Sequence, residues 1–278
     1  IAAVGPASEW SLDAKINQAS EPGEYDDGLL TLLQLLWGDG FLSPGGAEEV
    51  ARVLEGCSID DCEVLDIGAA LGRIDQLLVE VHGARRVVGI DVDPALLAAM
   101  HERIARAGLS SRIETVRVSP GPLPFEDNRF DVVFSKDSIV QIPDKNALYA
   151  DIFRVLKPGG RFVASDWLFG GTRPYSAEMM EYFRLEGIAY NMATPTESKD
   201  ALERAGFGSV ALRDRHDWYL ALAERELASL SGPLMPLVTE KLGPERARHF
   251  VINWEQLVLV LRRGELRPTH LRAVKPTR

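Results

Sequence analysis

Two acids, and the glycines beside one of them, are the residues whose types and spacing point to chemistry. In VLDIGAALGR, residues 64–73, a short apolar run carries Asp66 and leads into Gly68, Ala70 and Gly72. Asp91 ends the run RRVVGID, 25 residues after Asp66. Gly68 permits a tight turn and Gly72 lets a helix start close to the strand. The amide N–H groups at that helix's N-terminus are then expected to receive an anion or the polar edge of a ligand. An acid at the end of the next strand, at this separation, accepts hydrogen bonds from both hydroxyls of a ribose. Charge-assisted bonds of that kind contribute roughly 1.5–3 kcal/mol. The pair predicts a nucleoside site; a glycine turn that only packs a helix, with Asp91 as a solvated strand end, is the alternative that this spacing leaves open.

Such a site needs a sheet to hold it. From Glu63 the pattern strand, turn, helix repeats: EVLDI, RRVVGID, RIETVRV, FDVVFS and RFVASDW read as five apolar strands, with KPGG as the turn before the last. Asp93 caps a helix that starts at Pro94 and buries Leu97, Met100 and Ile104, and a second helix buries Leu148, Ile152 and Val155. Apolar strands alternating with amphipathic helices give a parallel sheet covered on both faces, and right-handed crossovers make it doubly wound. Beyond Asp166 the order changes. Thr194, Pro195 and Glu197 open a capped helix that ends at Gly206, followed by the strand SVALRDR, a mostly helical stretch over 217–264, and a last strand in THLRAVKP. Before the sheet, Leu29, Leu32, Leu33, Leu36 and Trp37 fall at helical spacing and Gly38 stops that helix. Residues 1–24 read as a loose polar arm.

Composition narrows the function. The chain has 278 residues, 46% of them hydrophobic, enough for a large core, and its net charge of −10 speaks against a nucleic-acid backbone as partner. No run approaches the roughly 18 apolar residues of a membrane span, and the first thirty residues carry no basic stretch followed by an apolar one. A cytoplasmic protein without a membrane partner is expected. Cys57 and Cys62 have no histidine or further cysteine nearby to complete a metal site, so they read as reduced structural thiols and no metal is expected.

The segment from LPFEDNRFDVVFS to RFVASDWL, together with DIGAALG and GIDVDP, closely resembles the class I S-adenosylmethionine-dependent methyltransferases over residues 63–168. EYDDGLLTLLQLLWGDGFLSPGG and SKDSIVQIPDK resemble the phosphoethanolamine methyltransferase group and its bacterial small-molecule N-methyltransferase relatives. The resemblance implies a Rossmann-like α/β fold, a doubly wound seven-stranded mixed sheet with a helical N-terminal lid and a helical C-terminal insertion. It divides the chain into an arm and lid (1–46), a cofactor-binding core (47–170) and a C-terminal part over the substrate site (171–278). It implies S-adenosylmethionine as cofactor and a small amine as acceptor, in a monomer or homodimer. Leu42 and Ser43 match lid contacts to the cofactor. Asp66, Gly68, Ala70 and Gly72 match the glycine loop, Asp91 and Val92 the ribose and adenine contacts, and Ser119 and Pro120 the adenine edge. Tyr25 matches an active-site tyrosine, Ser135 and Asp137 positions beside the methionine part and the acceptor, and Trp167 and Tyr182 aromatic substrate positions. Trp37 and Tyr190 flank the same site, with His216 as a candidate relay.

The chain departs from that group in several places. Ala70 stands where glycine is usual; its methyl is tolerable if φ is negative and costly if φ is positive. Ser119 replaces an acid that receives the adenine amino group. The group's histidine, partner of the tyrosine, falls at Gln141, and an amide holds no proton at neutral pH. The group's phosphate-binding basic residues fall at Glu186 and Leu257, which argues against a phosphorylated acceptor; aromatic faces with an acid suit a methylammonium cation instead. These departures leave two alternatives: a non-methylating nucleoside-binding descendant, or an O- or S-methyltransferase on the same fold.

Overall fold

The computed structural model describes residues 25–188 and 190–277; the arm expected over residues 1–24 lies outside them. The strands are β1 (Glu63–Ile67), β2 (Arg86–Asp91), β3 (Ile113–Arg117), β4 (Phe130–Lys136), β5 (Leu156–Phe169), β6 (Gly208–Asp214) and β7 (Leu266–Val274). They form one sheet in the order β3-β2-β1-β4-β5-β7-β6. The first five pair in parallel, and β7 is antiparallel to both of its neighbours, so the sheet is mixed as the resemblance implies. A strand covered on both faces can be apolar throughout. Val64 and Leu65 of β1 and Val87 and Val88 of β2 are fully buried accordingly.

Helices α1 (Asp27–Trp37), α2 (Gly46–Val53), α3 (Arg73–Glu80), α4 (Pro94–Arg106), α5 (Lys145–Val155), α6 (Ala177–Glu186) and α7 (Pro195–Arg204) precede β6. Between β6 and β7 run α8 (His216–Leu230), α9 (Met235–Leu242) and α10 (Pro244–Arg262). Val50, Leu78 and Met100, from α2, α3 and α4, cover one sheet face. Tyr149 and Ile152 of α5 and Leu202 of α7 cover the other. A third cluster joins α1 to the later helices through Leu32, Tyr182, Tyr219 and Trp254. Leu32 is fully buried there, a burial that stabilises the lid's docking by about 1.5–3 kcal/mol.

The helix starts follow side-chain chemistry. Asp93 Oδ1 accepts from the N–H of Ala95 at 2.7 Å, and Thr194 and Glu197 form a reciprocal capping box. Two features differ from expectation. KPGG is a bulge inside a longer β5 and not a turn before it, because the pairing steps from Phe130–Leu156 directly to Val132–Arg161. Helices α2 and α6 have no counterpart in the sequence reading, and α6 carries two residues of the site, Tyr182 and Glu186.

Candidate functional site

Strand order reverses beside β1, where an open α/β sheet leaves a crevice beyond its carboxyl ends. A cavity of about 710 Å³ lies there, bounded by Gly68, Ala70, Asp91, Val92, Ser119 and Pro120. Its size is that of a ligand pocket for a nucleoside-sized molecule.

The loop after β1 is tied to β2. The N–H groups of Gly68 and Ala69 donate to the Ile90 carbonyl at 2.9 and 3.0 Å, and that of Gly72 to the Ala69 carbonyl at 2.9 Å. The Ala70 N–H donates to Asp91 Oδ2 at 3.0 Å. These four loop amides are therefore occupied within the protein, while Arg73 and Ile74 at the start of α3 line the cavity. Asp91 is what the loop presents. Its Oδ1 accepts from the Asp93 N–H at 3.0 Å, and each oxygen keeps a second lone pair for a ligand hydroxyl. Burial lifts the Asp91 pKa above the ordinary carboxylate range, opposed by the N–H donors of Asp93, Ala70 and Val92. Ala70 has φ +49°, so the condition for a cost-free methyl is not met and the residue carries left-handed strain of about 1–2 kcal/mol.

Four residues assigned to the site lie off the cavity walls. Asp66, 1% exposed, sits beneath the loop beside Asp75. Ser135 is fully buried and its Oγ donates to the Ile67 carbonyl at 2.8 Å. Gly72 packs against Met100, whose Cγ would lie 2.6 Å from an added Cβ. His216 opens α8, where its ring approaches the Leu266 carbonyl, and it lines neither cavity. In a strand, alternate residues face opposite sides, so proximity in sequence to a site residue does not bring a side chain into the crevice.

A second pocket of about 60 Å³ continues from the first. Tyr25, Leu42, Ser43, Asp137 and Gln141 border both. Trp37, Trp167, Tyr182 and Tyr190 line the smaller one as expected positions, joined by Tyr219, Trp254, Glu186 and Leu257. The indole rings hold the lid in place: Trp37 Nε1 of α1 and Trp254 Nε1 of α10 donate to the two oxygens of Glu226 at 2.7 and 3.1 Å.

At the junction, Lys136 was not singled out by sequence. Its side chain is 1% exposed, and Nζ donates to Asp137 Oδ2 at 2.6 Å, Ser43 Oγ at 3.0 Å and the Pro44 carbonyl at 3.0 Å. Asp137 Oδ1 accepts from Ser165 Oγ at 2.8 Å. The carboxylate is thus paired through both oxygens, and it orients the junction. A lysine beside an acid at the carboxyl end of a central strand was the signal that could have revealed this. Neither cavity is lined by a histidine among the described residues.

The sheet order, the loop clasped to an acid at the end of β2 and the crevice beside it define a class I methyltransferase fold. Residues 64–160 match a family model described as a methyltransferase domain, so the chain carries that domain. It is 33% identical over 205 residues to phosphoethanolamine N-methyltransferase 1 of Arabidopsis thaliana, covering 73% of this chain and 40% of that protein. It is 26% identical over 209 residues to the phosphoethanolamine N-methyltransferase of Plasmodium falciparum (isolate 3D7), covering 74% and 76%. The chain thus spans less than half the length of its plant relative. The solved structure of Haemonchus contortus phosphoethanolamine N-methyltransferase 2, in complex with phosphomonomethylethanolamine and S-adenosylhomocysteine, superposes with a TM-score of 0.82 at 23% identity, over 96% of this chain and 61% of that one. No helix among the described residues is long and apolar enough to cross a membrane.

Proposed function

We propose that this chain is an S-adenosylmethionine-dependent methyltransferase acting on the nitrogen of a small acceptor amine. The observation that carries the reading is the continuity of the two cavities through Tyr25, Leu42, Ser43, Asp137 and Gln141, with the Asp91 carboxylate in the larger and aromatic side chains around the smaller.

When bound, S-adenosylmethionine supplies a methyl group from its sulfonium to the acceptor's lone pair, leaving S-adenosylhomocysteine and, after proton loss, a methylated amine. Asp91 holds the ribose, while Val92, Ser119 and Pro120 border the adenine end. The aromatic faces favour a positively charged or polarised amine by cation–π attraction, and the lid over residues 25–46 excludes water. Gln141 donates and accepts hydrogen bonds but carries no proton at neutral pH. Asp137 is committed to Lys136 and Ser165. The acceptor's proton passes to water, directly or by way of the Tyr25 hydroxyl, and the contribution of the chain is positioning.

Calorimetry with S-adenosylmethionine and S-adenosylhomocysteine, followed by a mass-spectrometric screen of small amines with labelled methyl donor, tests this. Binding with transfer to an amine is expected. Absence of binding at millimolar ligand overturns the reading, and binding without transfer to any acceptor points to the non-methylating descendant.

A further inference from the structure

The far end of the smaller pocket is acidic. Among the described residues, its only charged lining residues are Asp137, neutralised at the junction by Lys136, and Glu186, at the end of α6. No described lysine, arginine or histidine lines it. Asn253 Nδ2 donates to Glu186 Oε2 at 2.7 Å, which fixes the carboxylate, and no hydrogen bond among the described residues engages Oε1. Around it stand Tyr182, Tyr190 and Tyr219, with the Tyr182 and Tyr190 hydroxyls 3.3 Å apart. Burial raises the Glu186 pKa, opposed by the Asn253 donor, so its charged form is favoured by a cation brought beside it. A fixed carboxyl group with one open oxygen among aromatic faces, in a space of about 60 Å³, is a receptor for a compact cation or hydrogen-bond donor and offers nothing to an anion.

We propose that Glu186 sets acceptor specificity, and that the acceptor is a short amine whose far end is a second hydrogen-bond donor, an ammonium or a hydroxyl, and not a phosphate. The inference rests on the methyltransferase reading for the place of the reacting nitrogen, which the junction residues put at the mouth of the pocket. From there the remainder of the acceptor points toward Glu186. Glu186 is a specificity residue and takes no part in the transfer itself.

Ethylenediamine, ethanolamine and phosphoethanolamine share a reacting nitrogen on two carbons and differ only in their far end, respectively a cation, a neutral donor and an anion. Methyl transfer to each is measured for the wild type and Glu186→Gln, a substitution that keeps the volume and an oxygen for Asn253. Binding of the same three compounds is read in parallel from indole fluorescence with S-adenosylhomocysteine present, a readout that needs no turnover. The expected wild-type order is ethylenediamine, ethanolamine, phosphoethanolamine. Glu186→Gln is expected to weaken ethylenediamine by about ten- to a hundred-fold, mainly in KM, ethanolamine less, and phosphoethanolamine not at all. A wild-type preference for phosphoethanolamine, or an order that Glu186→Gln leaves unmoved in binding, overturns the proposal. Failure of the methyltransferase reading has a different signature, no transfer to any of the three, while the binding order still decides the role of Glu186.

Discussion

The backbone N–H of Ala70 donates to Oδ2 of Asp91 at 3.0 Å, so the acid at the end of β2 also holds the loop that follows β1. Its other oxygen is engaged by the Asp93 N–H. An asparagine at this position offers one acceptor oxygen and must turn its NH₂ toward one of those two N–H groups. Asp91→Asn is therefore expected to weaken binding of S-adenosylmethionine by about ten- to a hundred-fold, the worth of one charge-assisted bond, and Asp91→Ala to abolish it with the fold retained. Calorimetry on both variants checks this, and unchanged affinity in Asp91→Ala refutes the placement of the ribose.

Ala70 itself tests the strain in the loop. At φ +49° a Cβ costs about 1–2 kcal/mol, and glycine returns part of that as unfolded-chain entropy. Ala70→Gly is expected to raise stability by about 0.5–1 kcal/mol, seen as a higher urea midpoint at unchanged slope. A lower midpoint means that the alanine methyl makes packing contacts that outweigh its strain.

What was legible in the sequence was periodic or local. The apolar strands, the Asp93 and Thr194 caps and the separation of Asp66 from Asp91 each depend on residues near one another in the chain. What was not legible depends on side chains brought together from afar. Lys136 meets Ser43 and Pro44 across more than ninety residues, and Glu226 gathers indoles from α1 and α10. Asp75, an acid in the first turn of a helix, reads as a favourable dipole partner, yet the structure buries it completely. Asp66 and Ser135 stand near the carboxyl ends of their strands yet line neither cavity, because strand position alone does not say which face a residue occupies.

The Lys136–Asp137 pair predicts a sharp loss on removal of one member. Both side chains are buried, at 1% and 7% exposure, and removing one partner of such a pair leaves an uncompensated charge costing about 3–5 kcal/mol. Lys136→Met is expected to destabilise by that order, and adding Asp137→Asn to recover part of it. Urea denaturation of the two single variants and the double variant gives the coupling energy; strictly additive effects would contradict a direct pairing.

Beneath the glycine loop, Asp66 and Asp75 lie against each other, both buried. Among the described residues, no group outside the pair donates a hydrogen bond to either oxygen of Asp75 or to Oδ1 of Asp66. Gly89 of β2 makes the room, since a Cβ there would come within 2.6 Å of Asp75 Oδ1. Burial raises both acids, Asp75 to about 7 and Asp66 well above the ordinary carboxylate range, with their mutual repulsion adding to the shift of Asp66. In the unfolded chain both titrate near 4. Between about pH 4 and pH 7 the folded state thus holds protons that the unfolded state has lost, so stability falls as pH rises through that window. The contribution is fully present below the lower bound, where both states are protonated. Asp75→Asn keeps a donor toward Asp66 and removes one titrating group, so the fall in stability is expected to be shallower, by up to roughly 1.4 kcal/mol per pH unit. Urea midpoints of wild type and variant at about pH 5.5 and about pH 8.5 measure the difference between their slopes, which cancels other groups titrating in the same range. Equal slopes would mean that the two carboxyls do not retain the extra proton, and that an unseen donor satisfies them beneath the loop.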